Sequence, residues 1–334
     1  MPQKSKPTPM DVMYDLWAVW RSQTVVTAME LDLPSQIAAG NRTAKQIGAA
    51  IDASEVGTER LLDAMVALGY LNKKNGNYGL EPVSRDFLVR DKPLFMGDLF
   101  ESNQMLREGW NNLAAIVKAG KPMFDPAVAE RAKEFFPKLV AGIFPASFTA
   151  ATAACKTIAS GARGKIKSIL DVAAGSAAWS IPFARAFKSA RVTVIDFPEV
   201  TPVTRRFAEQ WGVADRYDYL EGDMHQLDFG TDYDLIILGH ILHIESPAGS
   251  IGLLKKSYEA LKDKGQVLIA EMVPNDTRTG PVFPLLFGLN MLIHTQKGGV
   301  YTMREYRDWL GQAGFRKVKT VQAPAPSPLI VATK

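Results

Sequence analysis

A single cysteine, Cys155, stands in the 334 residues, which excludes an intramolecular disulfide and any metal cluster built on thiolates. In its alanine-rich surroundings it reads as a small buried apolar side chain. Neither sign of charge prevails: 39 Lys and Arg against 35 Asp and Glu leave a formal net charge of +4, which implies neither a nucleic-acid-binding field nor a charged disordered tail. No uninterrupted apolar run reaches the length needed to span a bilayer, and the leading Met-Pro-Gln-Lys-Ser-Lys-Pro is not a secretory signal, so a soluble cytoplasmic protein is expected. Glycine is scarce where a dinucleotide would need it. The turn after the apolar run Ile169, Leu170, Val172 reads Ala173-Ala-Gly175-Ser-Ala-Ala178, and this excludes the Gly-x-Gly-x-x-Gly cradle of a pyrophosphate.

What remains around that turn is informative. A buried strand runs into small residues and then opens a helix, with Ser180 or a neighbour capping it and Pro182 tolerated in its first turn. Asp171 heads the turn, and a second acid, Asp196, closes the next strand, where it is placed to accept hydrogen bonds from ribose hydroxyls. That layout suits S-adenosylmethionine, an adenosine with an amino-acid tail and no diphosphate. A plain strand-helix turn explains the same residues, so the decision rests on the residues further down the chain.

From Lys165 strands and helices alternate to the end, with strands expected near 167–173, 191–196, 217–222, 233–239, 266–272, 315–321 and 328–333. The loop between the last two is too short for a crossover helix, so they form a hairpin with one strand antiparallel to the rest. The expected fold is α/β: a doubly wound, mostly parallel, seven-stranded Rossmann-like sheet with an antiparallel C-terminal hairpin, behind a mainly α winged-helix domain. Residues 9–29 carry an apolar helical face (Met13, Leu16, Trp17, Trp20, Val25, Ala28) that must be buried against something. Three short helical patterns come next, then a hairpin turning at Asn75-Gly76. A winged helix-turn-helix invites a DNA-binding reading. The would-be reading helix, however, sets Glu55, Glu59 and Asp63 against Arg60 alone, so it repels phosphate and dimerisation is the expected role. The domain boundaries expected are 1–95 for the winged-helix dimerisation domain, 96–160 for a helical linker or lid, and 161–334 for the cofactor domain. The middle segment is rich in Phe, Trp and Met, with helix breaks expected at Gly120-Lys-Pro122, Pro126, Pro137 and Pro145. Most of its large side chains, among them Met123 and Phe124, read as core, and a few could cover an apolar pocket.

The stretch Asp234-Leu-Ile-Ile-Leu-Gly-His-Ile-Leu-His243, with Leu253 to Leu261 and Gly265-Gln-Val-Leu-Ile-Ala-Glu271, is the most specific in the chain. With these motifs the sequence resembles, over nearly its whole length, the class I S-adenosylmethionine-dependent small-molecule O-methyltransferases that carry an N-terminal winged-helix dimerisation domain. Acetylserotonin, caffeate and hydroxyneurosporene methyltransferases are members of that group. The resemblance implies His243 as general base and Glu271 as the acid that holds it. It implies cofactor contacts from Asp171, Ala173, Gly175, Asp196, Phe197, Asp223, Met224 and Gly239, with Asp223 taking the adenine amino group and Met224 lying on the ring. Acceptor contacts would come from Met105, Phe144, Asn290, Met291 and His294. The implied protein is a homodimer acting on a small apolar, aromatic hydroxyl compound of secondary-metabolite type, with no metal, nucleic acid or membrane as partner.

The chemistry explains the residue types. A sulfonium methyl is already electrophilic, so what the protein must add is alignment and removal of the hydroxyl proton. A phenol and an unperturbed imidazole differ by about 3.5 pKa units, on the order of 5 kcal/mol uphill, and a carboxylate on the far ring nitrogen closes part of that gap. His240 and His243 stand three apart, a spacing that can hold zinc on a helix, but no third ligand is near them in sequence. His225 reads as a surface loop residue. The chain also departs from the family pattern: alanines replace glycines in the cofactor turn, His243-Ile-Glu245 stands where many members have His-Asp-Trp, and no second acid is found near Gly298-Gly-Val-Tyr301. Two alternatives therefore stay open. One keeps the cofactor but is a carbon methyltransferase or a non-methylating family member, and the other is a ligand-sensing winged-helix regulator.

Overall fold

The computed structural model describes residues 6–122, 129–162 and 166–334. They fall into two compact units that meet in sequence between Phe100 and Glu101. In the first, helix α1 (Pro9–Glu30) starts with a reciprocal cap: Thr8 Oγ1 accepts from the Asp11 amide, and the Asp11 carboxylate accepts from the Thr8 amide. Only the C-terminal part of α1 is buried, through Val25, Val26, Ala28 and Met29, while Tyr14, Leu16 and Trp20 are 61, 72 and 62 % exposed.

Helices α2 (Leu33–Ala38), α3 (Ala44–Ala50) and α4 (Glu55–Ala67) pack around Leu33, Ile37, Ile47, Leu62 and Met65. Strands β1 (Leu71–Lys74) and β2 (Asn77–Leu80) then form the hairpin, and α5 (Pro82–Phe87) comes after it. Asn75 and Gly76 both take positive φ, 50° and 77°, the backbone a two-residue hairpin turn requires and the reason for Asn-Gly there. The acids of α4 are answered within the unit: Asp63 accepts from Lys73 and from the Tyr78 hydroxyl, each at 2.7 Å. Lys73 of the wing is thus held by an acid.

Helix α6 (Gly97–Asn111) runs across the boundary in sequence, and α7 (Leu113–Ala119), α8 (Ala129–Gly142) and α9 (Phe144–Ala162) follow in the second unit. Gly120 ends α7 at φ 64°. The break expected at Pro137 does not occur. This proline lies inside α8, where burial of Phe135 and Ala141 holds the helix across the lost amide donor, and Pro145 sits in the first turn of α9. The Met123, Phe124 and Pro126 positions lie outside the described residues.

Strands β3 (Ser168–Val172), β4 (Arg191–Asp196), β5 (Tyr217–Glu221), β6 (Tyr233–Gly239), β7 (Leu261–Ala270), β8 (Lys317–Val321) and β9 (Leu329–Thr333) form one sheet in the order β5-β4-β3-β6-β7-β9-β8. The first five are parallel, and β9 pairs antiparallel with both neighbours. Helices α10 (Ile181–Ala186), α11 (Thr201–Gln210), α12 (Pro247–Ala260), α13 (Val282–His294) and α14 (Met303–Ala313) complete the unit. The central strands are apolar on both faces, as a sheet covered twice must be. Strand β7 begins earlier than the sequence suggests, because Leu261 already pairs with Tyr233 before the register shifts, and it ends at Ala270, so Glu271 stands just beyond it. Chain order reverses between β3 and β6. The loops after β3, β4, β6 and β7 therefore open on one edge, where such sheets hold ligands.

Candidate active site

The loop after β6 carries His243, and the loop after β7 carries Glu271. Both side chains are nearly buried, and His243 Nδ1 lies 2.8 Å from Glu271 Oε2. The other carboxylate oxygen accepts from the amides of Leu242 and His243, at 2.7 and 3.2 Å. Burial alone would push the Glu271 carboxyl up, but the His243 ring, with the His240 ring and the His243 amide, more than offsets it and holds it below the usual carboxylate value. An ionised Glu271 has no proton to give, so His243 Nδ1 is the donor of this bond and Nε2 carries the lone pair. The edge of Phe287, from α13, meets the imidazole with ring centres 4.9 Å apart. Behind it, the Gly299 amide donates to the His243 carbonyl at 2.8 Å. A side chain at Gly298 would drive its Cβ into that carbonyl oxygen, so the glycine pair is what lets the loop close on the base.

The cofactor-side candidates gather at the ends of β3 and β4. The turn is built on three left-handed residues, Ala173, Gly175 and Ala177, with φ of 53°, 58° and 56°. Two alanines in that region each cost about 1 kcal/mol that glycine would not, so the turn is held by its surroundings. The Gly175 amide donates to Asp196 Oδ2 at 2.7 Å, and Thr204 Oγ1 donates to the Gly175 carbonyl at 2.5 Å. A Cβ at Gly175 would lie 3.0 Å from Val140. Asp196 also accepts from the Phe197 amide at 2.8 Å, and burial, only partly offset by these two amides, pushes it up to about 6. The half-exposed Phe197 ring projects beside it. Asp171 is buried, its Oδ2 has no hydrogen-bond partner among the described residues, and burial pushes it up to about 8. A buried acid at the end of β3 that bonds Ser180 and keeps one carboxylate oxygen without a partner among the described residues, a second acid at the end of β4 and a turn of small residues between them fit a ligand with a cationic amino-acid tail and ribose hydroxyls.

The Gly222-Asp223-Met224 segment is fixed from both sides. Gly222 donates to the Asp196 carbonyl at 2.9 Å, and Lys256 of α12 donates to the carbonyls of Met224 and Leu227 at 2.7 and 2.8 Å. Met224 packs half-buried against the main core. Gly239 is bare because the Trp179 indole crosses it, and a Cβ there would run into the ring.

Asn290, Met291 and His294 share one face of α13 with Phe287, at spacings of three, four and seven residues. Asn290 Oδ1 accepts from Trp110 at 3.1 Å, Met291 is buried, and His294 keeps a buried Nε2 with no partner among the described residues. Phe144 does not join them. It stacks fully buried on Phe207 at 4.1 Å and on Phe148, within the packing of α9 on α11. Met105 lies on α6, and its side chain is outside the described residues. His225 is exposed on its loop, as expected, and pairs with Glu245 at 2.8 Å.

Sequence reasoning passed over Lys256, Phe287 and Trp179. The first two carry no local signal, while an indole in a turn of small residues was a visible anomaly. Sequence spacing also left the pair His240 and His243 without a third ligand, and the fold supplies Glu271: one ligand atom of each lies within 4.8 Å of the others. Three N–H groups, the amides of Leu242 and His243 and the His243 ring, already bond the two oxygens of Glu271. An open cleft of about 380 Å³ lined by Arg185, Lys188, Trp211 and Arg216 lies at the opposite, amino-terminal edge of the sheet. Two of its cations are engaged there, Arg216 on the carbonyls that end α10 and Arg185 over the Trp211 ring.

A buried histidine bonded to a carboxylate and an acid beside a small-residue turn both stand at the carboxyl ends of the parallel strands. The comparisons with known proteins show the family. A family model described as the O-methyltransferase domain matches residues 110–316, and one described as the O-methyltransferase dimerisation domain matches residues 16–90. The chain belongs to the S-adenosylmethionine-dependent O-methyltransferases of the secondary-metabolite and acetylserotonin type. It is 29 % identical to the S-adenosyl-L-methionine-dependent methyl transferase PigF of Serratia sp., over 98 % of this chain and 96 % of that one. It is 30 % identical to the 3-hydroxy-5-methyl-1-naphthoate 3-O-methyltransferase of Streptomyces sahachiroi, over 92 % and 90 %. A solved structure from Nostoc punctiforme superposes with a TM-score of 0.85 at 28 % identity, covering 99 % of this chain and all of that one. Among the described residues no single helix is long and apolar enough to cross a membrane.

Proposed function

We propose that this protein transfers a methyl group from S-adenosylmethionine to a hydroxyl of an apolar, aromatic small molecule, with His243 as general base and Glu271 as its positioning residue. The observation that carries the reading is the 2.8 Å contact of His243 Nδ1 with a carboxylate that two backbone amides pin in place. When bound, the cofactor supplies an electrophilic methyl on a sulfonium. Asp171, Gly175, Asp196, Asp223 and Met224 would hold it, with Asp196 on the ribose. His243 takes the acceptor's hydroxyl proton on Nε2 as the oxygen attacks, and Glu271 stabilises the imidazolium that results. Phe287, beside the base, and Asn290, tied to Trp110, support a flat aromatic acceptor with a polar end.

The exposed apolar face of α1 supports a homodimer, because a patch containing Leu16 and Trp20 is unfavourable in water. The winged-helix regulator reading loses support from the ion pairs that tie Lys73 to Glu59 and Asp63.

The test is calorimetric titration with S-adenosylmethionine and with its demethylated product, and then methyl transfer to a panel of phenols. Binding of both at micromolar concentration, its loss in Asp196→Ala, and turnover that disappears in His243→Ala with cofactor binding kept are expected. Absence of cofactor binding overturns the proposal. Turnover that survives His243→Ala points instead to carbon methylation.

A further inference from the structure

The mechanism leaves His240 unused, although it is the imidazole next to the base. Its Nδ1 is buried and has no hydrogen-bond partner among the described residues. One of its ring nitrogens lies within 4.8 Å of ligand atoms of both His243 and Glu271. Its backbone sits at φ 62°, in the left-handed region that a histidine rarely enters, and is held there by its amide's bond to the Ala270 carbonyl at 2.8 Å. Burial, partly countered by the Glu271 charge, pushes its pKa down to about 4, so the ring is neutral at ordinary pH and can act as donor or acceptor. A buried nitrogen without a partner is unfavourable, and an apolar side chain packed edge-on to Trp179 would avoid it. Neither the sheet nor the cofactor turn uses this ring.

We propose that His240 is a specificity-determining residue that hydrogen-bonds a second oxygen of the acceptor, on the ring carbon next to the hydroxyl that His243 deprotonates. The preferred substrates are therefore ortho-dioxygenated aromatics. The proposal rests on the methyltransferase reading. The distances agree with it. Oxygens on neighbouring ring carbons stand about 2.7 Å apart, and a hydrogen bond of about 2.8 Å at each end lets such a pair bridge nitrogens up to about 8 Å apart. A His240 ring nitrogen lies within 4.8 Å of a His243 ring nitrogen, and the two nitrogens of an imidazole are only about 2.2 Å apart, so His243 Nε2 stands within about 7 Å of it. A monophenol in the same place would leave His240 without a partner.

The probes are 2,3-dihydroxynaphthalene and 2-naphthol. Each is titrated into the protein saturated with S-adenosylhomocysteine, and each is assayed as an acceptor for kcat/KM. The wild type is expected to favour the diol by about 10- to 100-fold in both affinity and kcat/KM. His240→Ala collapses that ratio to about threefold or less. His240→Asn restores most of it, because asparagine tolerates positive φ and carries a polar atom where Nδ1 stands. A ratio near one in the wild type, failure of the diol to bind at millimolar concentration, or a ratio unchanged in a folded His240→Ala overturns the inference and leaves methyl transfer itself standing. Failure of S-adenosylhomocysteine to bind overturns the underlying reading and this inference with it.

Discussion

Replacing Glu271 with glutamine changes one atom and reverses one hydrogen bond. The amides of Leu242 and His243 both donate to Oε1, so the glutamine oxygen must stay there, and its NH2 falls opposite His243 Nδ1 at the present 2.8 Å. Two donors cannot face each other. The ring therefore moves its proton to Nε2 and accepts at Nδ1, which removes the lone pair that takes the substrate proton. Loss of a charge-assisted hydrogen bond is worth about 1.5–3 kcal/mol, and recovering the disfavoured tautomer adds about 1 kcal/mol. A total of about 2.5–4 kcal/mol corresponds to a fall in kcat of about 10²- to 10³-fold. The assay is S-adenosylhomocysteine release with a saturating phenolic acceptor, with cofactor affinity measured in parallel. A folded Glu271→Gln with unchanged cofactor affinity and kcat within about threefold of wild type would refute the assignment of Glu271 as the partner that fixes the base.

Three further outcomes are expected. Asp196 is pushed up to about 6 in the folded protein against 3.8 for a free carboxyl. Its neutral form is thus favoured by folding. The stability this contributes is fully present below about pH 4 and is lost as pH rises through 6, on the order of 2–3 kcal/mol. The Tm of ligand-free Asp196→Asn relative to wild type should accordingly rise between pH 4 and 6.5. The ionised form is the better acceptor for ribose, so cofactor affinity should fall up to about tenfold per unit below pH 6. Lys256→Met removes the ammonium that ties the carbonyls of Met224 and Leu227, and S-adenosylmethionine should bind about tenfold more weakly by calorimetry, with little change in turnover at saturation. Leu16→Glu with Trp20→Lys charges the exposed face of α1, and sedimentation should show a dimer replaced by monomers; an unchanged mass would remove α1 from the interface.

Much of the architecture was legible in the chain because it rests on local chemistry. Period-two and continuous apolar runs marked the strands, Asn75-Gly76 could only be a tight turn, and the short loop before β9 forced an antiparallel pair. His243 and Glu271 were legible only by resemblance, since nothing local to either residue points to the other across 28 positions. Pro137 misled, because a proline's local penalty is smaller than the packing of the α8 face on which Phe135 is buried.

The sequence by itself determined the order of elements, the absence of a pyrophosphate cradle and the supply of acids at the strand ends, all of which depend on neighbours a few residues apart. Only the tertiary structure decided which groups meet. Sheet order brings the loops after β6 and β7 together, so that a histidine and a glutamate become one buried hydrogen-bonded pair. Helix α12 delivers Lys256 to a loop more than 25 residues earlier in the chain. The packing of α9 on α11 buries Phe144 against Phe207, and the packing around β6 leaves Nδ1 of His240 buried with no partner among the described residues. Burial and hydrogen-bond satisfaction are properties of the assembled surroundings, and no window of sequence contains them.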